Sequence, residues 1–315
     1  MSAYEVLAVA KLSPLLAQPL SREFVVHERL HETDPARLAE VAPRIRAIVG
    51  GGESRVSREL IASLPALEMI SIMGVGYDGV DVAAALERGI RVSHTPDVLN
   101  DDVADLALAL MLSVSRRLVQ ADQFVRSGQW AQGPLPLARK FSGSRLGLVG
   151  IGRIGQAIAQ RAQAFGLSVA YTARSARAGL PYRYLPTPAA LAAEVDFLVV
   201  IIPGGAATRH LINAEVLQAL GPQGYLINVA RGSVVDQDAL LEALQEGVIA
   251  GAGLDVFANE PDVPQALWSL PQVVLTPHIG SATGQTRQAM ADLALANLRA
   301  HAAGQPLPTP VPECR

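Results

Sequence analysis

Three polar side chains stand where a chemical site would be built. Arg231 closes the run LINVAR, Glu260 follows LDVF within ANEP, and His278 follows VVLTP. Each run is a short β-branched stretch of the kind that forms a strand. All three residues therefore fall at the C-terminal ends of successive strands, the edge on which open α/β sheets gather their reactive groups. A guanidinium can hold an anion, and an imidazole can exchange a proton near neutral pH. Singly, each has a plainer reading: an arginine in a loop, a glutamate before a proline, a histidine in a turn. Of the other histidines, His94 also ends a strand and is the one rival. His27, His31 and His301 lie in helix or edge contexts, and His210 serves packing or a surface bond.

A second motif lies upstream. RLGLVGIGRIGQAIAQRAQAFG holds Gly150-x-Gly152-x-x-Gly155 between a strand pattern (146–149) and a helix pattern with Ile154, Ile158, Ala162 and Phe165 on one face, stopped at Gly166. The strand SVAYT follows, so the glycines open a βαβ unit, and this context turns a weak pattern into a dinucleotide fingerprint. Gly150 permits the tight turn, Gly152 lets backbone amides approach a pyrophosphate, and Gly155 lets helix and strand pack closely. The expected cofactor cradle is Gly150, Ile151, Gly152, Arg153, Ile154 and Gly155, with the helix N-terminus offering unpaired amides to the anion.

The end of the next strand reports which dinucleotide. An NAD site places an acid there for the ribose hydroxyls, whereas this chain has Ala173, Arg174 and Ser175, with Arg177 two positions on. A 2′-phosphate needs a cation and hydroxyl donors and is repelled by a carboxylate, so the expected cofactor is NADP. From Gln123 to Ala193 there is no Asp or Glu, while Arg126, Arg139, Lys140, Arg145, Arg153, Arg161, Arg174, Arg177 and Arg183 all lie there. That asymmetry reads either as a basic exposed face or as a site for a polyanion, and the motifs inside the stretch favour the second.

Elements to position these residues are legible along the whole chain. EVLAVA, FVVHE, RAIVGG, MISIMG and RVSHT are strand candidates in the first hundred residues, with helical patterns between them. A second series comprises RLGLVG, SVAYTA, DFLVVII, YLINVA, AGLDVF and VVLTP. Alternation of this kind builds parallel sheets covered by helices. The expectation is an α/β chain of two doubly wound domains: a flavodoxin-like substrate domain (1–98) and an inserted Rossmann domain (99–286). A C-terminal helix (287–315) returns to the first domain. The pattern over 101–129 is apolar on more than one face (Val103, Leu106, Leu108, Leu110, Met111, Leu112, Val114), which predicts a homodimer.

Several segments together carry a family resemblance: TPDVLNDDVADLALALML, the fingerprint, LINVARGSVVDQDALLEAL, GAGLDVFANEP and VVLTPHIGSAT. The chain resembles the D-isomer-specific 2-hydroxyacid dehydrogenases, and more narrowly their NADPH-using glyoxylate, hydroxypyruvate and hydroxyphenylpyruvate reductases. The likeness runs from about residue 45 to 310, and the spacings of 29 and 18 residues between Arg231, Glu260 and His278 are close to the family's. The resemblance implies reduction of a 2-oxo acid by hydride transfer, with Arg231 on the substrate carboxylate, His278 as proton donor and Glu260 on the other imidazole nitrogen. It further implies that Asp255, with backbone around Val229 and Ala230, holds the nicotinamide carboxamide. Amides of Val75 and Gly76 would meet the substrate carboxylate, and the triple glycine around Gly51 would let another loop approach the same site. Two departures stand out. The loop after DFLVVIIP reads Gly204-Gly205-Ala206-Ala207-Thr208, matching the family only at Pro203 and Thr208. Gly133 after Trp130 replaces an aromatic residue of the animal glyoxylate reductases, which implies a wider substrate pocket.

Bulk properties narrow the alternatives. With 315 residues, 50% of them hydrophobic, and a net charge of −3, the chain reads as globular, with no general attraction for nucleic acid. Its apolar runs are too short to span a membrane, and MSAYEVLAVAKL lacks the pattern of an export signal. The single cysteine, Cys314, excludes an internal disulfide or a cysteine metal cluster, and no metal is expected. A reducing cytoplasm suits this pattern. A dinucleotide-sensing corepressor of the same fold is the rival class, disfavoured by the complete Arg–Glu–His set.

Overall fold

The computed structural model describes residues 4–314. The chain forms two compact units, Met1–Leu99 with Thr283–Arg315, and Asn100–Ala282.

The first unit is a parallel sheet of β1 (Glu5–Ala8), β2 (Val25–Glu28), β3 (Ile45–Gly51), β4 (Met69–Met73) and β5 (Arg91–Ser93), in the order β2-β1-β3-β4-β5. This is the flavodoxin-like order. β1 and β4 are buried throughout and mostly apolar, with Glu5 and Ser71 the polar residues among them, while β2 at the edge leaves Val25 exposed. The last helix, Gly284–Ala302, begins where the Thr283 hydroxyl accepts from the Thr286 amide. It packs on β4 and on the helix Pro14–Glu23, burying Met290, Ala294, Leu295 and Leu298. Arg299 pairs with Glu23, and the Tyr4 hydroxyl meets His301 Nδ1 at 2.7 Å. Those bonds tie the C-terminal segment into the first unit.

The second unit holds seven parallel strands in the order β12-β11-β10-β9-β6-β7-β8. They are β6 (Arg145–Val149), β7 (Ser168–Thr172), β8 (Arg183–Tyr184), β9 (Phe197–Val200), β10 (Tyr225–Asn228), β11 (Gly251–Leu254) and β12 (Val273–Leu275). β8 has only two residues and no sequence pattern announced it. Strand order reverses between β6 and β9, and that switch point opens a crevice beyond the strand C-termini.

The long helix expected over 101–129 is two helices, Asn100–Arg116 and Leu118–Arg126, broken where Arg117 takes a left-handed backbone, φ +53°. The apolar residues that pointed to a partner, Val103, Leu108, Leu110, Met111 and Val114, are buried within this unit. The chain covers them itself, because the first helix packs on the helix Arg153–Ala164 and on β10, β11 and β12. Apolar exposure lies further along, at Leu118, Val119, Val125, Trp130 and Leu137.

The acid-free stretch is also less basic than it reads. Arg126 pairs with Asp122, Arg139 and Arg145 with Asp196, Arg161 with Asp101 and Asp105, and Arg183 with Glu194. Acids from outside the stretch pair with five of its nine cations. Arg153, Arg174 and Arg177 follow the C-terminal ends of β6 and β7, around the glycine-rich turn.

Candidate active site

The glycine turn is shaped by close backbone contact. Gly150 sits at φ +107°, and a Cβ there would lie 2.4 Å from the carbonyl oxygen of Ile201. A Cβ on Gly155 would lie 2.5 Å from the carbonyl oxygen of Gly150, so helix and turn touch directly. Beyond Gly152 nothing lies within 4 Å. Gly152 caps the helix Arg153–Ala164 without any side-chain bond, whereas Ser57, Asp81 and Asp236 each satisfy an amide of their own helix. A bare helix start facing open space fits the diphosphate of a dinucleotide. Phe165 is not on the buried face of this helix. It is the residue after the last turn, 41% exposed, its ring edge against Phe141.

Ala173, Arg174 and Ser175 follow β7, Arg174 and Ser175 exposed. Arg177 is anchored more firmly: its amide donates to the buried Tyr171 hydroxyl at 2.7 Å, and its guanidinium donates to the carbonyl of Ile151 at 3.1 Å. The arginine loop is thereby fastened to the glycine turn.

At the other strand ends the polar set converges. Asn228, buried at the end of β10, accepts from the Ala230 amide and donates to the carbonyl of Arg231, which fixes the turn bearing Arg231. The Arg231 guanidinium donates to the Ala230 carbonyl. Gly232 makes the turn possible, since a Cβ there would fall 1.9 Å from backbone atoms of Phe257. Phe257 in turn donates its amide to Glu260 Oε1 at 2.9 Å. Glu260 Oε2 lies 2.6 Å from His278 Nδ1. Burial pushes the Glu260 carboxyl up, but the bond to His278, the Phe257 amide and the charges of His278 and Arg231 outweigh it and hold the carboxyl below its ordinary value. A carboxylate bonded to an imidazole, with an arginine beside it, can hold an anion and pass a proton.

Asp255, buried after β11, is engaged by the His278 loop. Its Oδ1 accepts from the Thr276 hydroxyl at 2.7 Å and the Ile279 amide at 2.8 Å, and its Oδ2 from the Gly280 amide at 2.9 Å. The His278 amide donates to the Asp255 carbonyl at 2.9 Å. His278 itself has φ +51°, a backbone state that costs a β-carbon-bearing residue energy and tends to occur at functional sites. Burial raises the Asp255 carboxyl against these donors, which pull it down. Sequence reasoning assigned Asp255 to the cofactor and missed this clamp, along with Asn228, Gly232 and Thr276. Only Gly232 carried a signal, as a glycine directly after the arginine.

In the first unit, Gly51 ends β3, and its amide donates to Ser54 Oγ at 2.9 Å. Val75 and Gly76 follow β4 and are half-buried. His94, the rival histidine, is buried with Nδ1 on the Val75 carbonyl at 3.0 Å.

A bare glycine-rich helix start at a switch point, with an Arg, Glu and His set on the same sheet edge, defines the class of dinucleotide-binding dehydrogenases. The chain belongs to the D-isomer specific 2-hydroxyacid dehydrogenases: residues 108–280 match the NAD binding domain of that family. It is 48% identical to the hydroxyphenylpyruvate reductase of Plectranthus scutellarioides over 99% of this chain and 100% of that one. Identity to a glyoxylate/hydroxypyruvate reductase of Arabidopsis thaliana is 45%, again over 99% and 100%. Among solved structures, the NADPH-dependent glyoxylate/hydroxypyruvate reductase of Sinorhizobium meliloti, in complex with NADP and malonate, superposes with a TM-score of 0.94. It is 46% identical and covered over 98% of its chain, with 99% of this chain matched.

Proposed function

We propose that the protein reduces small 2-oxo acids, glyoxylate and hydroxypyruvate among them, to D-2-hydroxy acids at the expense of NADPH. The observation that carries the reading is the 2.6 Å Glu260–His278 pair on the sheet edge that also bears Arg231 and the glycine turn. The dinucleotide supplies a hydride when bound. Arg231 holds the substrate carboxylate and draws electron density from the carbonyl. His278, whose imidazolium form Glu260 favours, gives its Nε2 proton to the carbonyl oxygen as the carbonyl carbon becomes C–H, so one hydride and one proton complete the alcohol. In the first unit, the amides of Val75 and Gly76 are donors suited to a carboxylate. Val229, Ala230 and Asp255 border the nicotinamide, with Asp255 acting mainly through the His278 loop.

NADP is favoured over NAD because Ala173 stands where an acid would repel a 2′-phosphate, while Arg174 and Ser175 offer a cation and a hydroxyl. The NADP-bound relative from Sinorhizobium meliloti supports the same choice. The exposed apolar residues from Leu118 to Leu137 support a homodimer, which light scattering checks by a mass twice that of one chain. No helix of the described residues is long and apolar enough to cross a membrane. A single thiol at Cys314 supports a reducing, cytoplasmic setting. The test of function is oxidation of NADPH and NADH followed by absorbance with a panel of 2-oxo acids, small to aromatic. Turnover with none of them removes the reading.

A further inference from the structure

We propose that His94 is a positioning residue that aims the backbone amide of Gly76, beside that of Val75 which the Thr95 amide holds, at the carboxylate of the substrate. The proposal rests on the function proposed above and concerns the first unit alone. After β4 the chain turns through Gly74, Val75 and Gly76. The Gly74 carbonyl accepts from the Thr95 amide at 2.8 Å, and the Val75 carbonyl accepts from His94 Nδ1 at 3.0 Å. In extended backbone, successive carbonyls point to opposite sides. Here two successive carbonyls are both taken by the loop that follows β5.

Direction follows from peptide geometry. Among the described residues only the Glu260–Pro261 bond is cis, so each amide here lies antiparallel to the carbonyl before it. Fastening the carbonyls of Gly74 and Val75 to the β5 loop therefore turns the N–H groups of Val75 and Gly76 to the opposite side. Neither amide donates to an acceptor among the described residues. Two adjacent amides presented together make a cradle for an anion. A carbonyl that accepts a bond also strengthens the donor on the far end of its peptide.

The imidazole is well held for this task. The His94 amide donates to the Thr309 carbonyl, and the His94 carbonyl accepts from the Thr309 hydroxyl at 2.6 Å. The Tyr77 ring stands edge-on to the imidazole at 5.2 Å, and its hydroxyl donates to Glu313 at 3.0 Å. A bond to a carbonyl requires the proton on Nδ1. His94 thus shapes the substrate cradle without touching the substrate, which separates it from a histidine that merely packs.

The donor is what the test must isolate. H94F keeps a ring beside Tyr77 and removes the donor. H94N returns one, because its amide nitrogen stands as many bonds from the backbone as Nδ1. Readouts are KM for glyoxylate, the inhibition constant of oxalate (a carboxylate that is not turned over) and the dissociation constant of NADPH. In H94F both substrate and oxalate constants rise by about 3- to 10-fold, the effect of one lost bond. Turnover number and NADPH binding stay put, because ground and transition states lose the contact equally. H94N recovers most of the loss. ¹⁵N NMR of histidine-labelled wild-type protein, which needs no variant, shows Nδ1 protonated. An unprotonated Nδ1, an unchanged oxalate constant in H94F, or equal impairment in both variants overturns the assignment. Failure of the underlying function looks different: the unmutated protein then oxidises NADPH with no 2-oxo acid at all.

Discussion

Replacing Asp255 by Asn tests how the catalytic histidine is held. The carboxylate accepts three bonds, two on Oδ1 and one on Oδ2, from Thr276, Ile279 and Gly280. An amide has one oxygen, which can keep Thr276 and Ile279. Its NH₂ then faces the Gly280 N–H across the 2.9 Å now spanned by a hydrogen bond, donor against donor. A bond to a charged acceptor is worth about 1.5–3 kcal/mol, and a stranded buried amide costs about 1–3 kcal/mol. Overlap between these figures leaves roughly 2–4 kcal/mol of lost anchoring. The local opening constant should then rise about 30- to 1,000-fold at 1.4 kcal/mol per decade. Hydrogen exchange of the 276–280 segment reads this directly. The same loosening frees His278 from its φ of +51°, and kcat should fall about 100-fold, as for a catalytic group misplaced by an ångström. Unchanged protection at Ile279 and Gly280 together with wild-type kcat would show that the clamp does not hold the histidine.

His278→Ala should lower kcat by about 10²–10⁴-fold while the dissociation constant of NADPH, followed by fluorescence, is largely kept. Glu260→Gln should move the basic limb of the reduction profile to lower pH. A carboxylate bonded to Nδ1 favours the imidazolium over the neutral ring, and reduction needs that imidazolium. An unmoved limb counts against the pairing. Arg174→Ala should erase much of the NADPH preference, roughly 10- to 150-fold, chiefly in KM and with little change for NADH, unless Arg177 substitutes for part of it. Asp196, held at about 2 by Arg145 and Arg139 against the upward push of burial, gives a stability prediction. Its folded value lies below the ordinary one, so its contribution is present above about pH 4 and lost as pH falls toward 2. Asp196→Asn should therefore cost about 1–2 kcal/mol at neutral pH, discounted for the exposed Arg145, and almost nothing near pH 2 by urea titration.

What the sequence by itself determined is what depends on neighbours in the chain. Apolar runs of strand length and the helical patterns between them are local, so the strands from EVLAVA to VVLTP were legible. Gly150-x-Gly152-x-x-Gly155 was legible for the same reason: the turn, the bare helix start and the close contact lie within six residues. The ends of those strands carried Arg231, Glu260 and His278, and parallel pairing of β10, β11 and β12 necessarily brings such ends to one edge. Tertiary structure alone decided what each polar atom would meet. The acid-free stretch was read as a basic face or a polyanion site, but Asp101, Asp105 and Asp196 fold back onto arginines more than 50 residues away in the chain, and that distance hid the neutralisation. The apolar helix after Asn100 was read as needing a partner, but the helix Arg153–Ala164 and strands β10 to β12 bury Val103, Leu108, Leu110, Met111 and Val114 and leave Leu106 and Leu112 half-buried. Asp255 and His94 show the same limit at finer scale. A residue type and a strand end mark a place where a side chain can act, but its hydrogen-bond partners come from loops that only long-range packing brings within three ångströms.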